Sequence, residues 1–291
     1  LFVASPSRNG EKEITVISWI VYSDERMERP TKMPEAPTNG GMPVSVVMMT
    51  RNEAHNIKAC LESLRDFSEI IVVDNGSTDA TCAIVEAFSN SRLIISPWKG
   101  YGGTRQVGVD AAKHDWILWF DADERMTPEL ALEIQCALAD APPSAVLSFP
   151  RRNFFLGKHI RGCGWSPDRV VRVFNRSLSR FDDKTVHEGL LTQGERKLIE
   201  LKHAIVHYSY RTIRQYFQKN IHYALLAADE RVRIGRTVAA WQILLRPAWE
   251  FFRAYILKQG FQDGIRGLVI SLGGAAYVFT RDSICYFESK Q

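Results

Sequence analysis

The chain lacks the features that mark several common protein classes. Its 291 residues hold five cysteines, Cys60, Cys82, Cys136, Cys163 and Cys285, an odd number with no CxxC spacing. That argues against a disulfide framework or a cysteine zinc site and fits a reducing compartment. Ile14 to Tyr22 is too short to span a bilayer, and the charged residues before it make it a poor signal peptide. Gly267 to Thr280 is uncharged for 14 residues between Arg266 and Arg281, short of the ~18–20 a spanning helix needs. No G-x-G-x-x-G follows the first predicted strand, which disfavours a dinucleotide oxidoreductase. The net charge of +4 belongs to no recognisable nucleic-acid motif.

The charge present is unevenly placed. From Leu201 to Gln291 there are 13 Lys and Arg against 6 Asp and Glu, a balance of +7, so residues 1–200 sum to −3. A basic, aromatic-rich tail on a mildly acidic domain suits an anionic surface such as a membrane, or a set of solvated basic helices.

Residues 1–42 lack a globular pattern, and Arg26 to Gly41 is rich in Pro, Gly and charge, so this part is expected to be a disordered extension without catalytic importance. Met42 stands just before the first good strand, as an over-early start site would leave it. From there the apolar periodicity reads β-α-β-α-β-α-β-α. Strands are expected at Val44–Met49, Glu69–Val73, Arg92–Ser96 and Trp116–Phe120, with helices at Ile57–Leu64, Ala80–Phe88, after the glycine-rich loop Gly100–Arg105, and from Thr127 to about Ala139. Thr127 is a cap, Pro128 suits the first helical position and Glu129 complements the helix dipole. The alternation predicts an α/β class with a doubly wound, mostly parallel sheet. Such sheets place ligands at the carboxyl ends of their strands. Here those ends carry Asn52 and Glu53, Asp74, Arg105 behind the glycine loop, and Asp121 and Asp123. Residues two apart in extended chain share a face, so Asp121 and Asp123 would repel unless a hard cation such as Mg²⁺ or Mn²⁺ sat between them. An acidic turn is the alternative. Further strands are expected at Ala145–Phe149, Val170–Phe174 and Ala204–Tyr208. Residues 211–291 read as helical and amphipathic, able to lie on a membrane or to pack on the domain or a second subunit.

Val44-Ser45-Val46-Val47 with Arg51-Asn52-Glu53, Ile71 to Asp79, and Asp121-Ala122-Asp123, taken in order, resemble the family 2 glycosyltransferases of the GT-A fold over Pro43 to Glu188. Trp165 to Arg169, Val173 to Arg176, Val186 to Gly189 and the tail Phe251 to Gly264 resemble the lipopolysaccharide core β-glucosyltransferase group of that family. The resemblance implies a GT-A domain at 43–210 and a helical, membrane-associated region at 211–291. It implies an inverting, metal-dependent transfer of a hexose, glucose from UDP-glucose, onto a lipopolysaccharide core or other lipid-linked glycan. The location implied is the cytoplasmic face of the inner membrane, peripherally bound. Glu53, Asp74, Asn52, Arg105 and Asp121 would bind the nucleotide-sugar, and Asp123 with Asp121 a Mg²⁺ or Mn²⁺ ion. The family often carries a Glu-Asp pair where this chain has His187-Glu188, a departure. Glu188 is then the expected general base with His187 orienting it, and Asp168 is the rival base. Trp165 would stack on a sugar ring or fill a core. A polyprenyl phosphate or capsule intermediate as acceptor, and a non-catalytic nucleotide-sugar-binding membrane protein, are the alternatives. Turnover of UDP-glucose with Mn²⁺ separates the last from the enzymes.

Overall fold

The computed structural model describes residues 41–182 and 190–289. The expected extension therefore lies outside the described residues except at its last two. The β-α alternation follows as expected: β1 (Met42–Thr50), α1 (Ala54–Ser63), β2 (Phe67–Asp74), α2 (Thr81–Glu86), β3 (Ser91–Ile95), α3 (Gly100–Asp110) and β4 (Trp116–Trp119). The four strands run parallel in the order β3-β2-β1-β4. Their near-continuous apolar sequences reflect burial on both faces. Val46, Met48, Ile70, Val72 and Leu118 pack on one face with Ile57 and Leu61 of α1. Val47, Ile71, Val73 and Ile117 pack on the other with Val109 of α3. Each fully buried aliphatic side chain stabilises the fold by ~1.5–3 kcal/mol. Gly108 lets α3 lie close to the sheet, since a Cβ there would sit 2.4 Å from Val47 Cγ1.

One local expectation differs. Gly100 to Arg105 is not a loop leading into a helix but the first turns of α3 itself. The low helix propensity of its glycines is overridden by packing, with Gly102, Thr104 and Arg105 all buried.

Then come β5 (Glu124–Arg125), α4 (Pro128–Ala139), β6 (Ala145–Phe155), β7 (Lys158–His159), β8 (Arg169–Asn175), β9 (Ser179–Phe181), β10 (Leu190–Thr192), β11 (Lys197–Glu200) and β12 (Ile205–Tyr210). Thr127 caps α4 as expected, its side chain accepting from the Leu130 N–H at 3.3 Å. β8 enters antiparallel to β4, and β6 antiparallel to β8. β12 then runs parallel to β6 and antiparallel to β5. The sheet is thus mixed, with the parallel half expected from the sequence and an extension of both parallel and antiparallel pairs beside it.

The C-terminal region is helical, as expected: α5 (Ile213–Arg233), α6 (Ala240–Phe252) and α7 (Ile265–Glu288). No helix among the described residues is long and apolar enough to cross a membrane. Asp282, fully buried, ties the three together through Arg231 at 2.9 Å, Arg246 at 3.2 Å and Arg281 at 2.7 Å. Asp263 fastens the region to the sheet domain by accepting the backbone N–H groups of Arg161 and Gly162. None of the α6 side chains is fully buried, though Ile243 packs against the cluster of Ala228, Val238 and Cys285.

Candidate functional site

Because β1, β2 and β4 are parallel neighbours, the turns after them meet on one edge. Asn52 has φ +56°, a left-handed conformation that asparagine tolerates better than most residues. Its Oδ1 accepts from Thr78 N–H at 2.8 Å, and its own N–H donates to Ser77 Oγ at 2.8 Å. Asn52 therefore clips the β1 turn to the β2 turn. Asp74 is almost wholly buried. Its Oδ1 accepts from the N–H groups of Gly76 and Ser77 at 2.9 and 2.8 Å, and its Oδ2 from the Ser77 hydroxyl. The structure thus places Asp74 as the cap of its own turn. Glu53 instead faces a cavity, with Oε2 accepting from Asn56 Nδ2 at 2.8 Å. Burial raises its carboxyl above the usual range, against the Asn56 hydrogen bond.

Asp121, Ala122 and Asp123 do not continue β4 as extended chain. They form a tight turn closed by Glu124 N–H donating to Asp121 C=O at 3.0 Å. The period-two argument for a shared face fails for that reason, and the two carboxylates have separate surroundings. Asp121 Oδ1 meets Arg105 at 3.3 Å and Oδ2 meets Arg172 at 2.7 Å. Burial works against its charge, but Arg172 and Arg105 outweigh that and hold its carboxyl well below the usual range. Both guanidiniums lie over the Trp119 ring, at 4.0 and 4.1 Å from its centroid, a cation–π arrangement. Arg172 also bonds the fully buried Glu124 at 2.7 Å. Its Nε and Nη1 have no oxygen partner, consistent with donors turned toward an aromatic face.

Asp123 faces a histidine. The register of β12 sets His207 opposite Asn153 of β6 on one side and Glu124 of β5 on the other. His207 Nε2 is 3.4 Å from Asp123 Oδ2. His207 Nδ1 is 2.7 Å from Asn153 Oδ1 and 3.1 Å from Ser209 Oγ. The Asn153 amide is oriented by its other end, where Nδ2 donates to Asp168 Oδ2 at 2.8 Å and Trp165 C=O at 3.0 Å. An amide oxygen only accepts, so His207 carries a proton on Nδ1, and its Nε2 faces Asp123. Asp168 Oδ2 also takes Arg151 Nε at 2.7 Å. The rival base expected from the sequence thus anchors a hydrogen-bond chain that ends at His207.

These groups border a cavity of about 530 Å³, within the ~300–1,000 Å³ of small-molecule sites. Glu53, Arg105, Asp121, Asp123, Arg151 and His207 reach it, and Trp98 and Tyr101, edge to face at 4.9 Å, form part of its rim. Asn52 and Asp74 shape the edge without lining it. His187 and Glu188 lie outside the described residues. No cluster of three or more metal-binding side chains occurs among the described residues. Asp123 and His207 nevertheless fit a divalent ion. A carboxylate oxygen and an imidazole lone pair 3.4 Å apart can both reach one cation at the usual ~2.0–2.2 Å, and a second group holds the imidazole tautomer, as ligating histidines require. Mg²⁺ is commonly held by one or two carboxylates with the rest from phosphate and water, and Asp123 offers such a carboxylate. Asp121, paired with two arginines, is the less available of the two aspartates. His207, Asn153, Arg151 and Arg172 were not anticipated. Arg172 within the otherwise apolar run Val170–Phe174 of β8 and a lone His in β12 were the signals.

Residues 45–200, more than half of the chain, match the family model described as glycosyl transferase family 2. A lipopolysaccharide core biosynthesis glycosyltransferase, LpsC, from Rhizobium meliloti is 27% identical over 248 residues, covering 82% of this chain and 90% of that protein. Among solved structures, TarS residues 1–349 from S. aureus in complex with UDP is 14% identical with a TM-score of 0.43, covering 83% of this chain and 89% of that one. Glucosyl-3-phosphoglycerate synthase from Mycobacterium tuberculosis, in complex with Mn²⁺, UDP and phosphoglyceric acid, is 22% identical with a TM-score of 0.32, covering 38% of this chain and 43% of that one.

Proposed function

The chain belongs to glycosyl transferase family 2, and from that premise we propose that it is an inverting hexosyltransferase using UDP-glucose, with a lipopolysaccharide core or other lipid-linked glycan as acceptor. The observation that carries the reading is the Asp123–His207 pair, its imidazole tautomer held by Asn153, at the floor of a nucleotide-sized cavity. Asp123 and His207 would hold a Mg²⁺ or Mn²⁺ ion, which when bound neutralises charge on a departing nucleoside diphosphate. Glu53 lines the cavity beside them, and its carboxylate suits the N–H and hydroxyl donors of a nucleoside. Arg105 adds positive charge at the same wall while steadying Asp121. Glu188 would take the proton of the attacking acceptor hydroxyl. It is preferred over Asp168, whose Oδ2 already accepts from Arg151 and Asn153.

The name of the LpsC relative supports the acceptor class. The surface of α6 supports a peripheral place on an anionic membrane: Trp241, Leu244, Leu245 and Trp249 are each more than half exposed, in a region with a +7 charge balance. Aromatic and basic residues together favour such interfaces.

The test is a panel of UDP- and GDP-sugars assayed with Mn²⁺ and membrane extract. Transfer from UDP-glucose to lipopolysaccharide core is expected, and Asp123→Ala and Glu188→Gln should abolish it, the latter by the ~10²–10⁴-fold typical of a lost general base. Turnover only with another donor removes glucose from the reading. Absence of turnover with every donor favours a non-catalytic binding protein.

A further inference from the structure

A second cavity, of about 220 Å³, lies where the sheet domain meets the C-terminal helices. Trp165 and Tyr210 contribute from the sheet domain, Asn220 from α5, Glu250 from α6 and Tyr277 from α7. Tyr210 also lines the larger cavity, so the two cavities share a wall. Its size falls below the ~300 Å³ lower end of sites for larger ligands, which suits one sugar ring and not a nucleotide.

The chemistry of its walls is that of sugar recognition. A pyranose presents an apolar C–H face and a rim of hydroxyls. The rings of Trp165 and Tyr210 stand 6.0 Å apart at a 37° tilt and offer apolar faces. Glu250 is gripped through both oxygens by Arg253, at 2.7 and 2.8 Å. That pairing orients the carboxylate, with lone pairs left to accept sugar hydroxyls. The Asn220 amide both donates and accepts. Gly274 on α7 completes the wall, and a Cβ there would lie 3.6 Å from Glu250 Cγ, so a larger side chain at this position would enter the space.

We propose that this cavity binds one monosaccharide unit of the acceptor glycan, next to the donor cavity and across Tyr210 from it. The proposal rests on the glycosyltransferase reading. It gives the C-terminal helices a part in acceptor recognition, since three of them supply the polar groups.

The test uses the full chain and a set of methyl hexosides and heptosides as probes, read by saturation-transfer difference NMR. UDP affinity is measured in parallel by calorimetry. At least one glycoside should bind the wild-type protein, and Glu250→Gln and Trp165→Ala should weaken that binding at least ~10-fold, the loss expected when a charge-assisted hydrogen bond or a stacking face is removed. Gly274→Leu fills the cavity without deleting a contact and should have the same effect. UDP affinity should stay within about twofold in Glu250→Gln and Gly274→Leu, because neither residue lines the donor cavity. Asp123→Ala should leave glycoside binding intact. The proposal is overturned if no glycoside binds, if binding survives in the cavity variants, or if UDP affinity falls with it in Glu250→Gln or Gly274→Leu. A wild-type protein that binds glycosides but neither binds UDP nor turns over any nucleotide-sugar would instead sink the glycosyltransferase reading.

Discussion

Asp168 offers the sharpest test of the proposed donor site, because two roles for it lead to opposite outcomes. Its Oδ2 holds Asn153 Nδ2 at 2.8 Å, and Asn153 Oδ1 in turn faces His207 Nδ1 at 2.7 Å. Removing the carboxylate in Asp168→Ala leaves the amide held only by Trp165 C=O. A flipped amide would point its NH₂ at Nδ1 and force the proton onto Nε2, removing the lone pair beside Asp123. The lost hydrogen bond is to a charged group, ~1.5–3 kcal/mol, which corresponds to a ~10–100-fold loss of Mn²⁺ affinity, the range typical of groups that orient metal ligands. Asp168→Asn keeps an acceptor oxygen and should lose less than ~10-fold, about the net value of one neutral hydrogen bond. The assays are Mn²⁺ calorimetry in the presence of UDP and long-range ¹H–¹⁵N NMR of the His207 ring. The expected results are a switch of tautomer in Asp168→Ala and none in Asp168→Asn. Unchanged Mn²⁺ affinity and an unchanged Nδ1–H tautomer in Asp168→Ala would refute the positioning role. Loss of sugar transfer by ~10²-fold or more in Asp168→Asn, with Mn²⁺ affinity preserved, would make Asp168 the general base.

Two further outcomes follow from the ion pairs and the helical surface. Asp121 has a folded-state pKa held below its unfolded value, so its contribution to stability is full above the unfolded pKa of ~3.9 and is lost as pH falls toward the folded value. Asp121→Asn should therefore flatten the acid limb of the stability curve. Near pH 7 it should cost ~1.5–3 kcal/mol, since both guanidiniums lose the Asp121 carboxylate while Arg172 keeps that of Glu124. Urea midpoints at pH 7 and pH 3 measure both effects, and an unchanged midpoint at pH 7 would remove the ion pairs from the stability account. On α6, replacing Trp241, Leu244, Leu245 and Trp249 by Ser should weaken co-sedimentation with anionic vesicles, since each buried apolar side chain is worth up to ~1.5–3 kcal/mol. Equal sedimentation of variant and wild type, or no dependence on salt, would exclude this face as the membrane contact.

The first half of the fold was readable because its determinants are local. β1 to α4 announce themselves by apolar runs, helical spacing and caps such as Thr127, all within a few residues. The glycine-rich start of α3 misled for the complementary reason: Gly102 and Thr104 are helical through packing that only the folded sheet supplies. At the site, the sequence marked Glu53, Asp121 and Asp123 because they cluster at strand ends. It could not separate the tasks of the two aspartates, since a two-residue spacing has one meaning in a strand and another in a turn. His207 passed without notice. Its importance comes from lying opposite Asn153 and Glu124 in the sheet, a relation between segments far apart in the chain. Arg172 is similar: a charge inside β8 looks like a defect until Asp121, Glu124 and Trp119 are set around it.

The insertion of β12 between β6 and β5 has a consequence for the order in which the molecule is built. The nascent chain can form the parallel half of its sheet once β4 has been synthesised, because all four of its strands are then present. Asp123 then waits for its histidine until β12 emerges and docks beside two strands made much earlier. His207 and Glu124 lie 83 residues apart in sequence, and strand pairing at such a distance forms slowly. Until it happens, an otherwise formed sheet lacks half of the pair proposed to hold the cation. Competence to bind the donor would therefore arise in one step with the seating of the strand that leads into the C-terminal helices.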